Sequence, residues 1–406
     1  MTMHLLSGQR LLLPIPCGAC YRSPPSPAIK PSPLGLRPFT KSSSSLPLHL
    51  HAVSPATVAT DGSSTSAQPD SWAEFASRVS GEWDGFGAEF TAAGDAVELP
   101  ENVVPEAYRD WGVQVFDWQT QCPTLADPAA PCDLHYRLVR LLPTVGCEAD
   151  AATVHTSHQR HASSASAFAY SAAGSYVAAW PRGPAPVLEV EHCVVHPDNR
   201  EVRVRLVQTV ALAKEARLRG VKVFSEQWYG PYRNGDQLGG CALREAAFAA
   251  GEKLAASDVT GQWQSDAASA ARFSGELDPE TGKFAGLTPD EPGERLSRDD
   301  GDGIVTLPKQ LWSSFKENGK DEFVCEVGWV LGHGSAITSR CVLSRDGDVK
   351  ASISLSLLSF SFFLILLWFQ AFNRVHSQEM KYTESRVWFC LQEIVVSRES
   401  RVSEGT

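Results

Sequence analysis

The sequence predicts an all-β protein: two antiparallel β-barrels in tandem, with a disordered N-terminal leader and a candidate C-terminal helix. Three observations carry this. A Gly-x-Trp step occurs twice, within Val79-Ser80-Gly81-Glu82-Trp83 and within Val259-Thr260-Gly261-Gln262-Trp263. Each copy follows a segment with the makings of a brief amphipathic helix. Each also opens a run of short segments that alternate apolar and polar residues and are separated by turn residues, the pattern of a barrel or sandwich. At such an entrance the glycine lets the backbone turn sharply, and the indole closes one end of the barrel. Gly81 and Trp83 are thus the expected plug of the first module, and Gly261 and Trp263 that of the second.

A chain of 406 residues can bury two cores of ordinary size. Its formal charge of −11 excludes nonspecific nucleic-acid binding as a main role, because phosphates are repelled. Residues 1–60 stand apart: they carry Arg10, Arg22, Lys30, Arg37 and Lys41, no acids, and many Ser and Pro. The patch 11–15 is too short and broken for a membrane span. The composition reads as a plastid transit peptide, followed by a Ser/Thr/Ala-rich linker over 61–70. A chloroplast location is therefore expected. Of the ten cysteines, Cys17 and Cys20 lie in the leader, and the other eight are scattered and read as buried thiols of a reducing compartment.

The first module covers 71–250. Ser71 with Glu74 three residues on starts a short helix, and Trp72, Phe75 and Val79 give it an apolar face. Period-two segments follow at 113–118, 134–141, 167–170 and 176–180. The clearest strands are 187–192 and 201–206, joined by the turn Pro197-Asp198-Asn199, and 221–226 reads as a further strand. Leu188, Val190, Val202, Val204 and Leu206 share one face of that hairpin, and Glu189, Glu191, Arg203 and Arg205 the other. The charged face can be a solvated ladder. It can also point into the barrel, where Arg203 and Arg205 would clamp a carboxylate beside Glu191 and His192. Trp228 and Tyr229 then form either an aromatic rim to that site or a packed loop. His155, His158 and His161 stand three apart, with His192 and His196 further on, but no acid or Cys completes a ligand set and no metal site is expected. A Gly-x-Ser-x-Gly elbow, a P-loop and a dinucleotide fingerprint are all missing, so no catalytic residue is assigned.

The second module covers 251–357 and is the smaller. After the Gly261–Trp263 copy, 271–284 carries a hairpin signal around Asp278-Pro279-Glu280-Thr281-Gly282. A charged loop over 289–302 leads to 303–308. Segments 322–331 and 336–343 then pair around Gly332-His333-Gly334.

A Gly-x-Trp opening a β-meander with an Arg on a late strand resembles the calycin superfamily of lipocalins and fatty-acid-binding proteins. In that superfamily a late Arg packs over the Trp, and Arg340 is the matching candidate for Trp263. Two such modules behind a plastid leader resemble an uncharacterised calycin-like family of plastids and cyanobacteria, distantly similar to the S-type phycobiliprotein lyases. The resemblance implies a barrel that holds a hydrophobic, carboxylated small molecule such as a tetrapyrrole, carotenoid or fatty acid. It implies no required cofactor, and plastid proteins as further partners. A chromophore lyase or isomerase is the alternative. It would draw acid, base and clamp from Glu189, Glu191, His192, Arg203 and Arg205. An assembly factor with filled barrels, acting through its surface, is a third reading.

Residues 358–406 complete the chain. No charge occurs between Lys350 and Arg374. Thirteen Leu, Ile or Phe residues there supply on the order of −4 to −8 kcal/mol for membrane insertion. The stretch 353–372 therefore reads as a membrane helix, as the last strand of the second module at its start, or as the translation of a retained intron.

Overall fold

The computed structural model describes residues 71–402 except 131–132, 146–151, 184–185, 213–214, 237–245, 266–270, 273–283, 290–294, 320–321, 333 and 347–387. The leader and the apolar stretch 353–372 lie outside the described residues. No helix among the described residues is long and apolar enough to cross a membrane.

Helix α1 (Ser71–Val79) forms as its apolar spacing requires, and Trp72, Phe75, Ala76 and Val79 bury its inner face. The chain then enters β1 (Glu82–Thr91) and, after the short helix α2 (Glu106–Asp110), β2 (Asp117–Gln121) and β3 (Thr124–Ala126). It continues through β4 (Leu134–Leu141), β5 (Val154–His161), β6 (Ala167–Tyr170) and β7 (Tyr176–Arg182). Long strands β8 (Val187–His196), β9 (Asn199–Leu212) and β10 (Ala216–Gly230) end the module. The second module supplies β11 (Gly261–Ser265), β12 (Ala271–Arg272), β13 (Phe284–Gly286), β14 (Thr288–Pro289), β15 (Leu296–Arg298) and β16 (Ile304–Thr306). Longer strands follow: β17 (Leu311–Asn318), β18 (Glu322–Gly332), β19 (Ser335–Asp346) and β20 (Trp388–Arg401).

These strands make two curled sheets, each an antiparallel half-barrel, an arrangement that fits a calycin-like fold. The first runs β13-β6-β7-β8-β9-β10-β1-β2-β4-β3, with β5 paired to β4. The second runs β14-β12-β20-β19-β18-β17-β16, with β11 paired to β20 and β15. Two features depart from the sequence reading. Strand β13, read as part of the second module, pairs parallel with β6 of the first sheet. The segment 388–401, in which the sequence shows no obvious design, forms a strand paired along the whole of β19.

The sheets pack back to back. Leu188, Val190 and Val210 of the first sheet join Phe323, Cys325, Cys341 and Leu343 of the second in one cluster. Val204, Leu206 and Val223 join Leu311, Val327 and Ile337 in another. Polar contacts also cross this seam: Gln208 Nε2 donates to Ser313 Oγ and to Ser314 O, each at 2.8 Å, and His192 Nδ1 lies 2.9 Å from Ser339 Oγ. The apolar face of the β8–β9 hairpin is thus spent on the neighbouring sheet, which turns its charged face into the first half-barrel.

Candidate functional site

Both Gly-x-Trp copies build the same device. Trp83 Nε1 donates to Val79 O at 3.0 Å, and Trp263 Nε1 donates to Val259 O at 2.7 Å, so each indole closes the helical turn before it. Gly81 has φ +150°, and a Cβ there would meet Trp228 Nε1 at 2.1 Å. The glycine is required because Trp228 lies across it. Over Trp83 sits the Arg203 guanidinium, 4.1 Å from the ring centroid, its Nε bonded to Glu226 at 2.7 Å.

In the second sheet the cation over Trp263 is Arg298, at 5.8 Å, and the same guanidinium lies 4.8 Å from Trp312. Arg298 binds Glu399 at 2.7 Å and Glu326 at 2.5 Å. This corrects the assignment of Arg340, which is half-buried and stands opposite Glu326 in the β18–β19 register. Arg298 comes from a stretch that reads as a charged loop. Its pairing through β11 and its partner on β20 have no sequence signal short of the fold.

The charged face of the first module forms a buried network. Glu191 is wholly buried and accepts from Tyr136 at 2.6 Å, Trp180 at 2.8 Å, Tyr176 and Arg205 at 2.9 Å, and Arg160 at 3.0 Å. Arg205 also forks onto Glu226, at 2.7 and 2.9 Å. Burial by itself would raise Glu191, but the charges of Arg205 and Arg160 and the bonds from Tyr136 and Arg205 hold it at about 2. Glu189 gathers three cations: Arg160, Arg182 at 2.8 Å and Lys222 at 3.0 Å. They overcome its desolvation and hold it also at about 2.

Against this network lies a cavity of about 290 Å³. Its polar wall includes Arg140, Arg160, Arg182, Arg205 and Lys222 against Glu89 and Glu189, and Trp180, Phe224 and Leu138 supply apolar surface. His158 stands in the same wall. Its pKa is lowered by partial burial first, then by the charges of Arg140, Arg182, Arg160 and Lys222. A neighbouring cleft of about 410 Å³ shares Glu89, Arg182, Glu189 and Lys222.

Of the six candidate ligand-binding residues, Arg205 lines the cavity. Arg203 lies behind it over Trp83, and Glu191 is saturated by its donors. His192 points the opposite way, into the seam with the second sheet, because it alternates with Glu191. Trp228 is half-buried over Gly81, and Tyr229 is exposed. Neither forms a rim to the cavity. The cavity residues missed from the sequence, Arg140, Arg160, Arg182 and Lys222, sit on four different strands. Their one visible signal was the period-two face shared by Glu189 and Glu191.

The chain matches no family model and no curated protein. Among solved structures, a protein of unknown function from the DUF3598 family of Nostoc punctiforme superposes with a TM-score of 0.41 at 13% identity, over 82% of this chain and 99% of its own. A superposition this loose assigns nothing to the chain beyond what its own geometry carries.

Proposed function

We propose that the chain is a non-catalytic plastid protein whose first half-barrel binds a carboxylated small molecule with an apolar body. One observation carries this reading: three cations, Arg160, Arg182 and Lys222, converge on the single carboxylate of Glu189 at the edge of an aromatic-walled cavity. Arg182 has five N–H donors and Lys222 three, more than one carboxylate takes up. A second carboxylate entering the cavity would balance the surplus, and a guanidinium fork would orient it.

The cavity sits at the lower end of the ~300–1,000 Å³ span of small-molecule sites. It holds a small acid whole, or the acid end of a longer ligand whose body extends into the neighbouring cleft. A fatty acid, a carotenoid acid or the propionate arm of an open-chain tetrapyrrole meets that description.

The lyase or isomerase alternative finds less support. General acid–base work favours a group that titrates near the working pH, yet Glu189 and Glu191 are held at about 2 and His192 faces away from the cavity. The second half-barrel, with Trp263, Trp312, Arg298, Glu326 and Glu399 buried together, supports a structural role for that module.

Calorimetric titration of the full chain with aromatic acids, fatty acids and a linear tetrapyrrole tests the reading. Saturable binding is expected, weakened about tenfold or more by Arg182→Met with Lys222→Met, a loss of at least ~1.4 kcal/mol. No saturable heat from any of these acids would overturn it. For the location, residues 1–60 fused to a fluorescent reporter are expected to direct it into plastids, and a cytosolic reporter would count against that part.

A further inference from the structure

The histidines around β5 take on a different meaning once the strands are paired. At helical spacing His155, His158 and His161 would share a face. On a strand they do not: His158 stands in the cavity wall with Arg160, while His161 points outward. His155 stacks on Trp118 with centroids 4.9 Å apart. His161 stands directly opposite His135 of β4 in the antiparallel register, and the two rings stack with centroids 5.4 Å apart. Asp133, two residues before His135, shares that outward side, its Oδ1 4.0 Å from His135 Nδ1. One ligand atom each from Asp133, His135 and His161 fits within a mutual 4.8 Å. Backbone bonds fix the acid: Asp127 N donates to Asp133 O at 3.0 Å, and Asp133 N to Ala130 O at 3.1 Å.

We propose that Asp133, His135 and His161 form a binding site for a divalent transition-metal ion, of the Zn²⁺, Ni²⁺ or Cu²⁺ class, on the outer face of the β4–β5 pair. Two imidazoles and one carboxylate select those ions over Mg²⁺ and Ca²⁺, which prefer all-oxygen shells. With ligand bonds of about 2.1 Å, tetrahedral ligand atoms stand about 3.4 Å apart, so closing the set asks the side chains to move by about 1 Å. They can, because Asp133 and His161 are exposed and His135 is half-exposed. The hydroxyl of Tyr232, 3.5 Å from His135 Nε2, is placed to accept from the distal ring nitrogen and so fix the tautomer that frees Nδ1 for the metal. Three protein ligands leave open positions for water.

The site has a mechanical consequence. Among the described residues, strand β5 pairs with β4 alone, and it is largely exposed along its length. It also carries His158 and Arg160 into the cavity wall. An ion shared between His135 and His161 would staple this strand in place.

Titration of the full chain with Co²⁺ and Zn²⁺ tests the proposal. Expected is saturable uptake of one ion with visible Co²⁺ bands of a nitrogen/oxygen shell, and a rise in melting temperature of about 2–4 °C. His135→Ala and His161→Ala are each expected to abolish that uptake, Asp133→Asn to weaken it about tenfold, and His155→Ala to leave it intact. Asp133, His155 and His161 are exposed and His135 is half-exposed, and circular dichroism verifies that each variant is folded. Uptake unchanged in His135→Ala and His161→Ala, near-ultraviolet thiolate-to-Co²⁺ bands that mark a cysteine site, or no saturable uptake at all would each overturn the proposal.

Discussion

Arg205 joins the two halves of the buried network, since its guanidinium reaches both Glu191 and Glu226 while lying 4.7 Å over Phe224 and 5.0 Å over Tyr136. Removing one partner of a buried pair leaves the other charge without compensation, which costs about 3–5 kcal/mol. Arg205→Ala is therefore expected to lower unfolding free energy by that amount in denaturant titration. Arg205→Lys should recover little of it, because an ammonium cannot fork onto two carboxylates. Asp84 provides a pH signature of opposite sense. Buried in β1, it is raised from 3.8 to about 6, by desolvation first and by Glu82 and Glu226 next, despite a bond from Gln121. A carboxyl raised in the folded state contributes stability below pH 3.8, and that contribution falls away as pH rises to about 6. Asp84→Asn removes the decline. Expected is a variant more stable than wild type by on the order of 2 kcal/mol at pH 8 and matched to it near pH 3.5, as measured by paired denaturation curves.

At the scale of the element, the C-terminal strand decides the integrity of the second half-barrel. Strand β20 pairs with β19, β11 and β12, and its Glu399 anchors Arg298 beneath the two indoles. A chain ending at residue 387 leaves β19 as an open edge and Arg298 with Glu326 as its remaining acid. That variant is expected to lose cooperative unfolding of the second module and to aggregate through the exposed edge; a sharp, wild-type-like transition would contradict the role given to β20. The sequence reveals these elements unevenly. The Gly-x-Trp entrances, the first helix and the β8–β9 hairpin are legible because each rests on local chemistry: a positive φ, an apolar face at spacings of three and four, a Pro-Asp-Asn turn. Trp388–Arg401 is not legible, because its alternation is weak and its justification lies in a neighbour reached across more than forty residues. The β13–β6 pairing is hidden for the same reason, being parallel and only three residues long.

At the scale of the whole molecule, back-to-back packing of the sheets determines where the charges go. Period two identifies Glu189, Glu191, Arg203 and Arg205 as one face, yet it cannot say which face is inside when both are buried. The second sheet answers that by covering Leu188, Val190, Val204 and Leu206. The same logic places His192 at the seam and brings Arg140, Arg160, Arg182 and Lys222 together from strands far apart in the chain. The result is a cavity with a surplus of positive charge, which adds to partial burial in lowering the His158 ring. A bound carboxylate would oppose that surplus and favour the imidazolium, so by linkage the acid should bind more tightly as pH falls through the His158 titration.

The most direct measurement is the NMR titration of His158, assigned by comparison with His158→Gln, in the free chain and in the chain saturated with a carboxylate that binds it. Expected is a His158 pKa below the usual histidine value in the free chain and higher in the complex. A His158 titration unmoved by saturating ligand, or moved downward, would contradict a carboxylate site in the first half-barrel.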